Sequence, residues 1–114
     1  MTTPLLPLNT FKLFAGRLLT GNNIVYQENV KDVSSIVLSA VISNITTSDQ
    51  VVTVKITSGS VTSNLLVSAS IPPNESLNPF IGRIVLEKSN ALTFTAAASN
   101  VLDYTISILE NANT

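Results

Sequence analysis

Seven carboxylates are the residues in this sequence best suited to acid–base or metal chemistry. Histidine and cysteine do not occur, so the commonest general base, the commonest metal ligand and the best nucleophile are missing. An active centre would need two carboxylates brought together in one pocket. We therefore expect a protein that is not an enzyme, with a carboxylate hydrolase as the remaining enzymatic alternative. The seven acids are Glu28, Asp32, Asp49, Glu75, Glu87, Asp103 and Glu110.

Short motifs that could bind a ligand lack the pattern that the ligand requires. Glu28 and Asp32 offer oxygen atoms, but their spacing does not match the alternating acids and distal Glu of a calcium loop. The four glycines are isolated, which argues against a phosphate-binding loop. Asn44-Ile45-Thr46 and Asn74-Glu75-Ser76 fit the N-glycosylation pattern and equally fit turns. We predict no catalytic residue, no cofactor and no metal.

The composition favours protein partners. Charged residues make up 11% of the chain and the formal net charge is −1, whereas a soluble domain carries roughly 25% charged residues. The basic residues are scattered singly, and no apolar run approaches the roughly 20 residues of a membrane-spanning helix. We predict neither nucleic-acid nor membrane partners, and no export signal is readable. A nearly neutral surface favours association, so we expect a homo-oligomer.

Apolar and polar residues alternate with a period of two, which is typical of β-strands with one buried face. The pattern is clearest in Val51–Thr57, Phe80–Glu87, Ala91–Ala96 and Leu102–Ile108. Turn residues separate such segments at short intervals. The sequence therefore predicts an all-β fold: a single antiparallel β-sandwich, Ig-like or jelly-roll-like, with about seven or eight short strands in residues 11–114.

Residues 1–10 precede the first predicted strand, which starts at Phe11. Their leucines and prolines predict an extended N-terminal arm that anchors the protein to a neighbour, and a frayed terminus is the alternative. The anchoring residues of this arm are Pro4, Leu5, Leu6, Pro7 and Leu8.

One predicted strand is apolar on both faces. Ile36, Leu38 and Ile42 lie on one face, and Val37 and Val41 lie on the other. A central strand covered by its own fold would account for this pattern. The alternative is that Val37 and Val41 face a partner, and we include them among the predicted interface residues.

The order of these segments resembles small virion modules of tailed bacteriophages over roughly residues 18–110. The segments that carry the resemblance are Ile24-Val25-Tyr26, Val51-Val52-Thr53-Val54, Ile71-Pro72-Pro73-Asn74-Glu75-Ser76-Leu77, Ile84-Val85-Leu86-Glu87, Leu92-Thr93-Phe94-Thr95-Ala96 and Ser107-Ile108-Leu109-Glu110.

This resemblance implies a structural protein of the virion, assembled in the host cytoplasm. The first expectation is a capsid decoration or cement protein that binds the major capsid protein or other virion proteins. A head–tail connector, a neck part and a tail or fibre component are the alternatives. A receptor- or glycan-binding module is a further alternative, although tryptophan, which stacks on sugars, is absent.

Overall fold

The computed structural model describes residues 8–27, 33–80, 82–87 and 89–112. These ranges contain nine β-strands and no helix, which confirms the all-β prediction, and nothing in them could cross a membrane as a helix. The strands are β1 (Leu8–Arg17), β2 (Gly21–Gln27), β3 (Val33–Asn44), β4 (Gln50–Ser58), β5 (Val61–Ile71), β6 (Ser76–Leu77), β7 (Ile84–Leu86), β8 (Ala91–Ala96) and β9 (Leu102–Ala112).

The strands form two antiparallel sheets. Sheet A has the order β1-β9-β3, and both β6 and β7 pair with the far side of β3. Sheet B has the order β2-β8-β4-β5. Because β6 and β7 pair with different parts of β3, they act together as one interrupted fourth strand. The chain passes repeatedly between the sheets in the strand order of a jelly roll, which decides between the two predicted kinds of sandwich.

The core lies between the two sheets and is built from alternate residues of the central strands. Val52 and Val54 of β4 and Leu92 and Phe94 of β8 are fully buried, which confirms that these alternating segments are strands with one face in the core. Full burial of each such side chain stabilises the fold by about 1.5–3 kcal/mol. The inward residues of β9 that are also fully buried are Leu102, Ile106 and Ile108.

The strand predicted over Phe80–Glu87 is shorter in the structure, where only Ile84–Leu86 pair with β3. Pro79 cannot donate a backbone hydrogen bond, and Gly82 has a φ of 108°, which an L side chain rarely adopts. Phe80 inserts into the core instead of continuing the strand. These residues divide the fourth strand of sheet A into β6 and β7.

β1 begins three residues before the predicted first strand. Leu8 and Thr10 pair with Ala112 and Glu110 of β9, so the last part of the predicted arm belongs to sheet A. Four of the predicted anchoring residues lie outside the described residues: Pro4, Leu5, Leu6 and Pro7.

Candidate protein–protein interface

The two predicted faces of β3 are exchanged at a β-bulge. The register of β3 against β9 shifts between Val37 and Ser39, and an extra residue moves all later side chains to the opposite face. Val37 is therefore buried, with 0% exposure, on the same side as Ala40 and Ile42. The prediction that Val37 faces a partner is wrong, because it is a core residue. Val41 is 39% exposed on the outer face, and its contact with a partner stays a prediction.

Four apolar residues align across the outer face of sheet A. Phe11 pairs with Leu109, Leu109 with Ile36, and Ile36 with Val85. Directly paired residues of antiparallel strands lie on the same face, so these side chains form one row across β1, β9, β3 and β7, which we call the apolar row. No single segment of the sequence indicates this row, since the row depends on which distant strands pair.

The ends of the apolar row are open to solvent. Phe11 is 74% exposed and Val85 is 57% exposed, and Leu13 beside Phe11 on β1 is also exposed. The row contains no charged residue. Further along the same face, Arg17 and Asp103 form an ion pair with 2.7 Å between Nε and Oδ1. Exposed apolar residues that adjoin one another commonly mark interaction sites.

A polar cluster joins the two sheets next to the apolar row. The hydroxyls of Tyr26 and Ser35 share a hydrogen bond of 2.7 Å, and the Tyr26 hydroxyl also donates to Glu110. Lys12, which follows Phe11 in β1, lies 2.7 Å from Glu110, measured from Nζ to Oε1. The cluster therefore connects β1 and β9 of sheet A to β2 of sheet B, and it holds the strand segment that carries Phe11.

Glu110 is ionised more readily in this cluster than in water. Partial burial raises the pKa of Glu110. The hydrogen bonds from Lys12 and Tyr26 and the positive charge of Lys12 lower this pKa by more than burial raises it, so the net shift is downward. Hydrogen bonds donated to a carboxylate favour its charged form. Glu110 is thus a structural carboxylate with two donors directed at it.

β5 forms one edge of sheet B, and among the described strands it pairs with β4 alone. No charged residue occurs between Lys55 and Glu75, although exposed edges are usually protected by charge. Val61 and Val67 are exposed along this edge. Two register shifts against β4 interrupt the strand, and Ser68 has a φ of 49°. The β5 edge is therefore uncharged and partly protected by bulges.

Two concavities lie on the surface of the described residues. One lies beside the β5 edge and is lined by Leu65, Pro79, Phe80 and Ile84. The other lies over β1 and β9 and contains a single carboxylate, Asp103, whose charge is paired. Within the described ranges, no group of three His, Cys, Asp or Glu side chains could hold a metal ion. The first concavity therefore offers apolar contacts, and the second offers an ion pair beside Tyr104 and Thr105.

Comparisons with known proteins support the fold. No protein-family model matches the sequence, and no curated protein matches it either. A solved structure described as "Bacillus endospore appendages form a novel family of disulfide-linked pili" is similar, with a TM-score of 0.59 and 13% sequence identity. The match covers 98% of this chain and 93% of that chain. It gives no phage-specific support, so the resemblance to virion modules stays a prediction.

Proposed function

We propose that this chain is a non-enzymatic structural subunit, which joins copies of itself into a larger assembly through contacts of its sheet surfaces. The apolar row carries this proposal. Both ends of the row are exposed and its two middle members are half-buried, and the burial of this contiguous apolar surface in an interface is favourable.

Other features of the chain agree with a structural role. The absence of histidine and cysteine leaves few groups for catalysis. The low charge of the β5 edge removes the repulsion that usually keeps neighbouring edges apart. The similar solved structure belongs to a description of pili. If this chain also forms fibres, they are held by non-covalent contacts, because the sequence contains no cysteine for disulfide links.

Sedimentation velocity and negative-stain electron microscopy of the full chain test this proposal. We expect assembly that increases with protein concentration and gives regular particles. Phe11→Ser should weaken each contact roughly 10- to 100-fold, because burial of one such side chain contributes about 1.5–3 kcal/mol. Ile24→Ser is the matched control, since Ile24 is an exposed apolar residue on β2 of the other sheet.

Two results would contradict the proposal. The first is a wild-type chain that remains monomeric at every concentration, and the second is an equal reduction of assembly by Phe11→Ser and Ile24→Ser. The second result would mean that general surface hydrophobicity, and not the apolar row, drives association.

A virion structural protein is the second candidate, and the sequence resemblance described above favours it. In this case the same surface would bind the capsid as a decoration or cement protein. Quantitative mass spectrometry of purified particles from producing cells tests it, because a decoration protein should be present in numbers comparable to the major capsid protein. Six or twelve copies per particle would indicate a neck or tail part instead, and absence from particles would refute a virion role.

A further inference from the structure

We infer that the apolar row binds residues 1–7 of a neighbouring copy of the same chain. This inference rests on the proposed function, because it names the partner of the surface on which that proposal depends. It combines the strand register of sheet A with the sequence that precedes β1.

The chemistry of the two parts is complementary. Residues 1–7 contain no charged side chain and place Leu5 and Leu6 between Pro4 and Pro7. The apolar row likewise has no charged member. Proline reduces the conformational entropy that a segment loses on binding, so an apolar segment enclosed by two prolines is suited to binding on a flat sheet face.

The segment is long enough to cross the row. Three steps between neighbouring strands separate Phe11 from Val85, which is about 14 Å at the usual strand spacing. Residues 1–7 can span at most about 23–25 Å when fully extended. One segment can therefore cross all four strands of the row.

The area of the row also indicates a single segment and not a folded face. Exposed Phe11 contributes on the order of 150 Å², and with its neighbours the patch amounts to a few hundred Å². Two folded surfaces that bind each other stably bury about 800 Å² on each partner. An extended segment needs less area, because repetition along an assembly adds many modest contacts together.

The segment of the same copy would have to reverse its direction to reach the row. β1 remains paired with β9 as far as Leu8, so toward its N-terminus the chain runs away from Phe11. A segment that continues away from β1 reaches another copy without any reversal.

Donation of this segment from one copy to the next would be a heterologous contact. Each copy carries both the segment and the row, so the contact can repeat, giving a ring if the rotation closes and an open fibre if it does not. The inference therefore identifies a directional contact within the proposed assembly.

Cysteine cross-linking of the full chain tests the inference, and the absence of natural cysteines makes the result easy to interpret. Protein with Leu6→Cys is mixed with protein with Val85→Cys under mild oxidation, and the linked peptides are identified by mass spectrometry. We expect this disulfide to form at least about ten-fold faster than the one between Leu6→Cys and Ile24→Cys, a ratio that burial of one leucine side chain supports.

The other outcomes overturn the inference. If Leu6→Cys formed disulfides with Val85→Cys and with Ile24→Cys at equal rates, the cross-links would come from random collisions. A disulfide that forms only within one chain, in a Leu6→Cys/Val85→Cys double variant, would mean that each segment covers its own row. Sedimentation of the same samples under reducing conditions separates the two proposals: assembly without the cross-link refutes only the inference, and monomers at all concentrations refute the proposed function.

Discussion

Val37 and Val41 offer a matched test of the bulge in β3, because the same substitution can be made at two positions of one strand. Val37→Ala removes two methyl groups from a fully buried position that pairs with Ile84 and Ile108. The transfer contribution is about 1.6 kcal/mol at 0.8 kcal/mol per carbon. The space that the two methyl groups leave in the core adds a further cost, so the total loss of unfolding free energy is about 2–3 kcal/mol. Val41→Ala removes the same atoms from the outer face and should cost less than about 0.7 kcal/mol.

Urea unfolding monitored by circular dichroism measures both values, and the m-value should be unchanged in each variant. Protein concentrations should be kept low enough that association does not contribute to stability. Equal costs at the two positions would refute the bulge, because an uninterrupted strand places Val37 and Val41 on the same face.

Three further predictions concern pH, packing and the β5 edge. The pKa of Glu110 is lower in the folded protein, so its stabilising contribution is complete above the unfolded pKa of about 4.3 and is lost as the pH falls through the folded value. Urea unfolding at neutral and acidic pH should therefore show a smaller pH dependence of the unfolding free energy for Glu110→Gln than for the wild-type chain, and equal dependences would contradict this prediction. A Cβ atom at Gly16 would lie 2.8 Å from the Tyr104 hydroxyl oxygen, so Gly16→Ala should lower the unfolding free energy by about 1–2 kcal/mol, and by less in a Tyr104→Phe background. Val67→Lys should change the unfolding free energy by no more than about 0.5 kcal/mol and reduce assembly measured by light scattering, whereas unchanged assembly would exclude the β5 edge from the interface.

The sandwich could be predicted because several strands alternate without interruption. In β4, β8 and β9 the inward residues follow a strict period of two, and the structure places them in the core as expected. Alternation reports the burial of each strand separately, so it predicted the class of fold but not the order of strands. The choice of a jelly roll depended on which strands pair, and that information lies in contacts between distant residues.

The apolar row could not be predicted for the same reason. Phe11, Ile36, Val85 and Leu109 come from four strands, and a single exposed apolar residue on one strand is ordinary. Only the register brings them side by side. The sequence also does not show that β1 is the edge strand of sheet A, where Phe11 is exposed.

The bulge in β3 follows from two buried polar residues near its ends. Ser35 bonds to Tyr26 on the inner side, and Asn44 donates its amide hydrogens to the backbone oxygens of Ser48 and Ile71. The two residues are nine positions apart, an odd number, so an uninterrupted strand would place them on opposite faces. Because both are buried, the strand needs one extra residue between them, and the bulge supplies it. The same extra residue puts Ile36 on the outer face while Ile42 lies in the core, so the apolar row is a consequence of satisfying both ends of β3.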